Sequence, residues 1–199
     1  MEEITEIDLS SIPTLLINLD NADDRLSKAG DVLSKASQPF ERFNAIKHEV
    51  GVVGCGLSHL NLLHNLEVPT LVLEDDIEAT DHLSRRIIIP KNADAIYLGV
   101  SNHGYIRNQK FGFRGSVLVS RYSKEYLRVL NMCSTHAIIY LSKRYIEASK
   151  QIIDHCIRQG VAFDVGLASI HRHFNVLTPL NPWFFQSEQP EFTNLSLQF

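Results

Sequence analysis

Three consecutive acidic residues, Glu74, Asp75 and Asp76, follow the apolar run LVL in the stretch TLVLEDDIEA. Short apolar runs of this kind are typical of buried strands, and open α/β sheets bind ligands outside the carboxyl ends of their strands. Because adjacent carboxylates repel one another, a divalent cation is a simple way to keep them ionised. Oxygen ligands favour Mg²⁺ or Mn²⁺. Taken alone, the acids indicate a metal site or, equally well, a solvated turn.

The alternation of side chains in an extended segment assigns the three acids to two sides. It places Glu74 and Asp76 on one side and Asp75 on the other. We therefore expect Asp76, together with Glu74, to hold the metal, which would bridge these carboxylates and a substrate diphosphate. Asp75 is expected to bind a backbone group or a neighbouring cation.

The composition is that of an ordinary globular protein, with 199 residues, 44% hydrophobic and 21% charged. This length suits one domain with its own core. The formal net charge of -4, without any strongly basic region, argues against nucleic acid as the main partner. Three widely spaced cysteines fit reduced thiols in a cytoplasmic protein rather than a disulfide framework or a zinc knuckle. They are Cys55, Cys133 and Cys156.

The first twelve residues, MEEITEIDLSSI, are acidic and polar. They lack the basic and apolar regions of a signal peptide, and no apolar run approaches the length of a membrane span. We therefore expect a cytoplasmic protein without a transmembrane segment.

Short apolar strands alternate with helices along the chain. Strands are predicted at residues 14–19, 40–46, 70–74, 94–100 and 136–141, and helices at about 21–36, 51–66 and 142–159. This alternation favours an α/β fold with a mostly parallel central sheet flanked by helices. We find no linker, so residues 1–199 are predicted to form one domain, with 1–12 as a candidate flexible segment. The Gly- and Asn-rich stretch 101–116 is predicted to be an irregular loop over a site.

Five motifs occur in the order of a known enzyme family: LLINLDNADDR, GVVGCGLSHLNLL, LVLEDDIEA, STHAIIYLSKRYIEA and PLNPWFFQSEQPEFTNLS. They run from about Leu15 to Ser196 and together resemble glycosyltransferase family 25, the lipopolysaccharide and procollagen galactosyltransferase-like group. The resemblance implies a GT-A fold, a nucleotide-diphosphosugar donor such as a UDP-sugar, a divalent metal and inversion at the anomeric carbon. It also implies a hexose, such as galactose, transferred to a hydroxyl of a glycan or other acceptor, as in lipopolysaccharide biosynthesis.

Asn18, Asp20 and Arg25 match the family's opening motif, which lies at the nucleotide. A guanidinium group can pair with a diphosphate through two parallel hydrogen bonds, so Arg25 is a candidate diphosphate ligand. The alternative is a surface arginine paired with Asp23 or Asp24 in the same helical turn.

Gly54, Cys55, Ser58 and His59 match the family's Gly-Cys-x-x-Ser-His helix start. Small residues let a backbone approach a ligand, and a helix N-terminus favours phosphate. Gly54, Ser58 and His59 are therefore candidates for donor binding, although His59 could instead be a satisfied buried histidine. Cys55 is expected to belong to the core.

The acidic triplet also matches the family pattern. Glu74, Asp75 and Asp76 correspond to a Glu-Asp-Asp that serves the family as its metal-binding DxD motif. The resemblance thus implies Glu74 and Asp76 as ligands of Mn²⁺ or Mg²⁺ and places Asp75 at the donor.

Asp164, in VAFDVGL, matches a family acid and is our first candidate for the general base, with Asp94 second. The alternative for Asp164 is the N-cap of the helix that follows. Thr135, His136 and Ala137 match a motif that leads into a strand. His136 could contact the acceptor or the sugar, or it could be structural.

Pro179, Gln186 and Ser196 match the closing motif. His171 or His173 could supply a further metal ligand, because imidazole suits several transition metals. The spacing HRH places these histidines on different helix faces, so at most one is expected to do so.

Three functions other than a transferase are also considered. A non-catalytic nucleotide-sugar binding module would keep the same motifs. A metal-dependent phosphohydrolase also places acids at strand ends, but it needs a nucleophile or a two-metal carboxylate set that we do not find. A pure interaction protein leaves the five motifs unexplained. The chain is short for the family and residues 100–130 match none of its motifs, which bears on the acceptor more than on the donor.

Overall fold

The computed structural model describes residues 4–105 and 115–187. Four α-helices lie in these ranges, with short 3-10 turns at Leu9–Ser11 and His171–His173. The helices are α1 (Asp23–Ser34), α2 (Gly51–His64), α3 (Lys143–Gln159) and α4 (Phe163–Ile170).

Fourteen strands complete the described elements. They are β1 (Ile4–Asp8), β2 (Thr14–Asn18), β3 (Glu41–Asn44), β4 (Thr70–Glu74), β5 (Ile77–Ala79), β6 (Arg86–Pro90), β7 (Ala95–Tyr97), β8 (His103–Gly104), β9 (Gly115–Ser116), β10 (Leu118–Arg121), β11 (Tyr126–Asn131), β12 (Ala137–Tyr140), β13 (Val176–Pro179) and β14 (Phe184–Gln186). All five strands and all three helices predicted from the sequence have a counterpart among these elements.

The central sheet has eight strands in the order β10-β11-β13-β7-β12-β4-β2-β3. The pairs β2–β3, β2–β4 and β7–β13 are parallel, and the other four neighbouring pairs are antiparallel. The α/β class with flanking helices is confirmed, but the expected mostly parallel sheet is wrong because this sheet is mixed.

Strand β12 is the main reason for this difference. It lies between β4 and β7 and runs antiparallel to both. All four of its residues are buried. A strand buried on both faces shows the same continuous apolar run in either direction, so its sequence does not encode that direction.

The two faces of the sheet pack into separate cores. Leu71 and Leu73 of β4 belong to one core, together with Leu33 of α1. Val72 points to the other core, which contains Leu63 of α2 and Ile153 of α3. The alternation of β4 therefore places α1 on one face and the pair α2 and α3 on the other.

The ends of α3 follow their sequence signals. The hydroxyl of Ser142 accepts a hydrogen bond from the backbone N–H of Tyr145 and so caps the helix at its predicted start. Gly160, directly after the predicted end at residue 159, has φ 62° and ends the helix in the left-handed conformation.

The buried face of α2 differs from the expected one. The apolar spacing of residues 51–66 predicts Leu57, Leu60, Leu63 or His64, and Leu66 on the inward face. Leu63 and Leu66 are buried, but Leu57 and Leu60 are only half-buried, whereas Ser58 and His59 are buried. The helix is apolar nearly all round, so its periodicity does not single out one face. Its packing against α3 and the sheet decides which side chains are enclosed.

The N-terminal segment contains the strand β1, which pairs antiparallel with β6 from Ile4↔Pro90 to Asp8↔Arg86. The expected flexible segment 1–12 therefore includes ordered backbone pairing from residue 4 onward. Most of the predicted loop 101–116 lies outside the described residues. In the ranges that are described, no helix has both the length and the apolar character needed to cross a membrane.

The carboxyl ends of β2, β3, β4 and β7 lie on one edge of the sheet, because β4 and β7 both oppose β12. Asp94 precedes β7 and so lies at the opposite edge. It accepts hydrogen bonds from Ser142, Arg144 and the backbone N–H of Asn175, and the Arg144 and Ser142 donors hold its pKa below the ordinary value despite burial. These contacts contradict its role as a second candidate base at the acidic triplet and make it structural.

Gly99 provides a test of the packing beneath the acidic edge. A Cβ at this position would overlap the buried ring of His136. We expect Gly99→Ala to lower the free energy of unfolding by about 1–3 kcal/mol, measured by urea denaturation. Gly51→Ala is the control, because a Cβ there meets nothing within 4 Å. Equal stabilities of the two variants would contradict this packing.

Candidate functional site

A cavity of about 410 Å³ opens at the carboxyl ends of β2, β3 and β4. Its volume falls within the range of about 300–1,000 Å³ that is usual for small-molecule sites. The first turns of α1 and α2 complete the wall. The polar and small residues of this wall are Asn18, Arg25, Ala45, Lys47, His48, Gly51, Gly54, Cys55 and Ser58, together with the three acids of the triplet.

Gly54 and Ser58 hold α2 close to the segment that follows β3. A Cβ on Gly54 would lie 2.7 Å from the carbonyl oxygen of Ile46, so only glycine allows this approach. The Ser58 hydroxyl donates to the Gly54 carbonyl at 2.7 Å and accepts from the Ile46 N–H at 2.8 Å. Both residues line the cavity, and these contacts also give them a structural role.

Glu74 points toward α2. Its Oε1 lies 3.0 Å from Nε2 of His59 and accepts a hydrogen bond of 2.6 Å from the Thr135 hydroxyl. Burial opposes ionisation of Glu74, but these donors hold its pKa below the ordinary value. His59 is fully buried, so it is a structural partner of Glu74 rather than a side chain on the cavity wall.

Asp75 and Asp76 share one cation. Nη2 of Arg25 lies 2.8 Å from Oδ1 of Asp75 and 3.4 Å from Oδ2 of Asp76. Asn18 donates a second bond, of 2.7 Å, to Oδ2 of Asp75. The partners of Arg25 are thus the triplet acids and not the acids of its own helical turn.

The strand alternation expected for the triplet does not hold. Strand β4 ends at Glu74, and Asp75 and Asp76 form a turn before β5. A turn has no two-residue period, so Asp75 joins Asp76 beside Arg25 while Glu74 faces His59. The expectation that Asp75 points away from Asp76 was therefore wrong, although Glu74 and Asp76 do line the same cavity.

Asp76 is the carboxylate with the least complete set of partners. Its Oδ2 accepts from Gln186 at 3.2 Å, but its Oδ1 is buried without a hydrogen-bond partner in the described residues. Burial raises the pKa of Asp76 to about 7, and the charge of Glu74 adds to this effect. A buried carboxylate oxygen without a donor is a group that a cation can satisfy, so Asp76 fits a divalent metal.

Asp20 lies apart from the cavity wall. Its side chain is 80% exposed and lies 3.7 Å from Nη2 of Arg42. Arg42 in turn donates to the carbonyl of Leu19, which does line the cavity. The structure therefore places Asp20 outside the site that Asn18 and Arg25 enter.

Asp164 is the second residue of α4, whose N-cap is Ala162, so the alternative of an N-cap for Asp164 is wrong. Its carboxylate accepts from the N–H of Val165 at 2.8 Å. Burial raises the pKa of Asp164 to about 6, with a contribution from Glu74. Asp164 is not among the residues lining the cavity, but the start of α4 packs on α2 through Phe163 and His59, whose ring centroids are 5.0 Å apart.

The other candidate histidines are structural or exposed. His136 is buried with Nδ1 3.2 Å from the Ser134 hydroxyl, and burial lowers its pKa. His171 is fully buried against the Tyr97 hydroxyl, and burial lowers its pKa to about 3. His173 is exposed beyond α4. The idea of His171 or His173 as a metal ligand at the triplet is therefore wrong, and the structural alternative holds for His136.

Sequence reasoning gave no role to Thr135 or Gln186, although both contact the triplet. Gln186 reaches Asp76 because β14 pairs with β5 across a separation of 110 residues. The signal that the sequence offered for both residues was their position within the family motifs. Ser196, the last residue of the closing motif, lies outside the described residues.

No protein-family model matches this chain, and a search of curated proteins gave no significant match. Membership of the glycosyltransferase family therefore remains a prediction from the five motifs. The evidence for a function comes from the residues of the site.

The raised pKa of Asp76 predicts how stability changes with pH in the metal-free protein. Because the folded state binds a proton more tightly than the unfolded state, stability falls as the pH rises from about 4 to about 7. Asp76→Asn removes this ionisation and is expected to be more stable than wild type at pH 8, by about 1.4 kcal/mol for each unit of raised pKa. Urea denaturation in EDTA at pH 5 and pH 8 measures this difference.

Asp20→Asn is the matched control, since the Asp20 side chain is 80% exposed. It should leave the pH dependence of wild type unchanged. The stability of wild type is expected to fall between pH 5 and pH 8 relative to that of Asp76→Asn. If it does not, the pKa of Asp76 is not raised in the folded protein.

Proposed function

We propose that this protein is an inverting, metal-dependent glycosyltransferase that moves a sugar, such as galactose, from a nucleotide-diphosphosugar to a hydroxyl of a glycan or another acceptor. The observation that carries the proposal is the 410 Å³ cavity, where Arg25 and the incompletely paired Asp76 lie beside the first turns of α2. The mixed sheet with flanking helices is compatible with the GT-A-like fold that the five motifs imply.

The cavity offers cationic and dipolar groups for a diphosphate. The cations Arg25 and Lys47 line it, and Gly51 begins the 14-residue helix α2 at its wall. The N-terminus of a helix favours phosphate, and a guanidinium group binds two phosphate oxygens at once. Arg25 is 47% exposed, so it can contact a bound ligand while keeping its place beside the acids.

Asp76 is the residue that would hold a divalent cation, with Mn²⁺ or Mg²⁺ suited to its oxygen atoms. When bound, the cation neutralises the negative charge that builds on the leaving nucleoside diphosphate. Glu74 contributes less to this site than the motif implies, because its Oε1 is already bound by His59 and Thr135.

Asp164 is the candidate that would take the proton from the acceptor hydroxyl. The acceptor oxygen would form the new bond to the anomeric carbon, while the bond from that carbon to the diphosphate breaks on the opposite side. A pKa of about 6 suits a base that works near neutral pH.

Asp164 does not line the cavity, and this observation favours one alternative, a non-catalytic module that binds a nucleotide-sugar without consuming it.

A thermal-shift screen of nucleotide-sugars with and without Mn²⁺ tests donor binding. At a donor concentration of 100 times Kd, binding stabilises the folded state by about 2.7 kcal/mol, so a rise in Tm that requires Mn²⁺ is expected. Asp76→Ala should abolish it, and Asp20→Ala should keep it. The proposal fails if no donor gives a Mn²⁺-dependent shift and no nucleotide-sugar is hydrolysed or transferred.

Asp164→Asn tests the catalytic step separately. We expect transfer or hydrolysis of the donor to slow by about 10²–10⁴-fold, because the variant lacks a proton acceptor. The donor-induced thermal shift should remain, since Asp164 lies outside the cavity wall. Asp154→Asn, on the surface of α3, is the control and should keep wild-type turnover. Full activity in Asp164→Asn would show that Asp164 is not the general base. A donor that binds but stays intact in every assay would favour the non-catalytic binding module.

A further inference from the structure

Cys55, His59 and Glu74 form a group of potential metal ligands beside the cavity, in which Cys55 and Glu74 line the wall and His59 is fully buried. Their ligand atoms, one from each residue, all lie within 4.8 Å of one another. Cys55 and His59 are four residues apart on α2 and so share one face of the helix, while Glu74 ends the adjoining strand β4. It is the only group of at least three such residues found in the described ranges 4–105 and 115–187.

We propose that Cys55, His59 and Glu74 form a binding site for a thiophilic divalent cation of the Zn²⁺ type. A set of sulfur, imidazole nitrogen and carboxylate oxygen suits Zn²⁺ rather than Mg²⁺. This site is distinct from the carboxylate oxygens of Asp76. It does not depend on the transferase proposal.

Three protein ligands leave one position of a tetrahedral ion open. Cys55 and Glu74 both line the 410 Å³ cavity, so that position would face the cavity and ions could reach it. Bonds of about 2.0–2.3 Å bring tetrahedral ligand atoms to within about 4 Å of one another. The largest present separation, up to 4.8 Å, therefore shortens by about 1 Å, and the 3.0 Å between Nε2 of His59 and Oε1 of Glu74 widens slightly.

Two of the ligands are already held in place. The Thr135 hydroxyl donates to Oε1 of Glu74 at 2.6 Å, which is the kind of second contact that orients a metal-binding carboxylate. The ring of His59 is fully buried and packs on Phe163 with centroids 5.0 Å apart. Its Nε2 already faces Glu74 at 3.0 Å. A cation would enter between groups that the surrounding structure already holds close to these positions.

Binding must release a proton. Cys55 loses its thiol proton when sulfur becomes a ligand. The proton that Nε2 of His59 shares with Glu74 must also leave that nitrogen, and the other ring nitrogen, Nδ1, has no hydrogen-bond partner in the described residues and takes it. Uptake of Zn²⁺ by the neutral histidine form therefore releases one net proton per ion.

Titration of the purified protein with Co²⁺ tests the site, because cobalt bound to a thiolate absorbs in the near ultraviolet. The expected result is one thiolate-bound Co²⁺ per chain, displaced by Zn²⁺, with no nucleotide present. Cys55→Ala should lose the band, and Thr135→Val should weaken Zn²⁺ binding by about 10–100-fold. Cys133→Ala and Asp76→Asn are the controls and should keep the band, since neither residue is part of the group.

A wild-type protein without a thiolate-to-cobalt band overturns the proposal, as does a band that persists in Cys55→Ala. If Cys55→Ala fails to fold, alkylation of wild type decides the question. Bound Zn²⁺ should then slow the alkylation of Cys55 at least about tenfold, whereas an unchanged rate overturns the site. Asp76→Asn separates the two proposals, because it should remove Mn²⁺-dependent donor binding and leave this site intact.

Discussion

The negative charges of Glu74, Asp75 and Asp76 must be balanced by neighbouring donors and cations. The structure at this edge of the sheet depends on that constraint. Each acid has a partner from a different part of the chain, since isolated charges at such depth would be too costly to ionise. The partners are His59 and Thr135 for Glu74, Asn18 and Arg25 for Asp75, and Arg25 and Gln186 for Asp76. Helices α1 and α2, strands β2 and β14 and the segment before β12 must therefore be in place before all three acids are paired.

The compensation is complete for Asp75 and incomplete for Asp76. Asp75 receives one donor on each oxygen, whereas Oδ1 of Asp76 is buried without one in the described residues. A structure selected for stability alone would gain by replacing such a carboxylate. The uneven pairing is what one expects where a cation completes the set, and it directs attention to Asp76 and the cavity beside it.

The strand β12 links this edge to the body of the fold. The backbone N–H of Glu74 donates to the carbonyl of His136 at 3.0 Å, and the His136 ring occupies the space that Gly99 leaves free. Thr135, one residue earlier, binds the Glu74 side chain. Packing at the centre of the sheet and the position of Glu74 are thus set by the same short segment, while Asp94 stabilises the opposite edge through Ser142 and Arg144.

The sequence by itself determined the α/β class, the positions of the main strands and helices and both ends of α3, because apolar periodicity, caps and glycines act over a few residues. It also indicated the acidic triplet and Arg25 as neighbours in a site. The tertiary structure alone decided the mixed direction of the sheet, since buried strands read alike in both directions. It also decided that Glu74 turns to His59 while Asp75 joins Asp76, and that Gln186 arrives from 110 residues away. These outcomes depend on a strand end, a turn and long-range pairing, none of which leaves a local pattern in the chain.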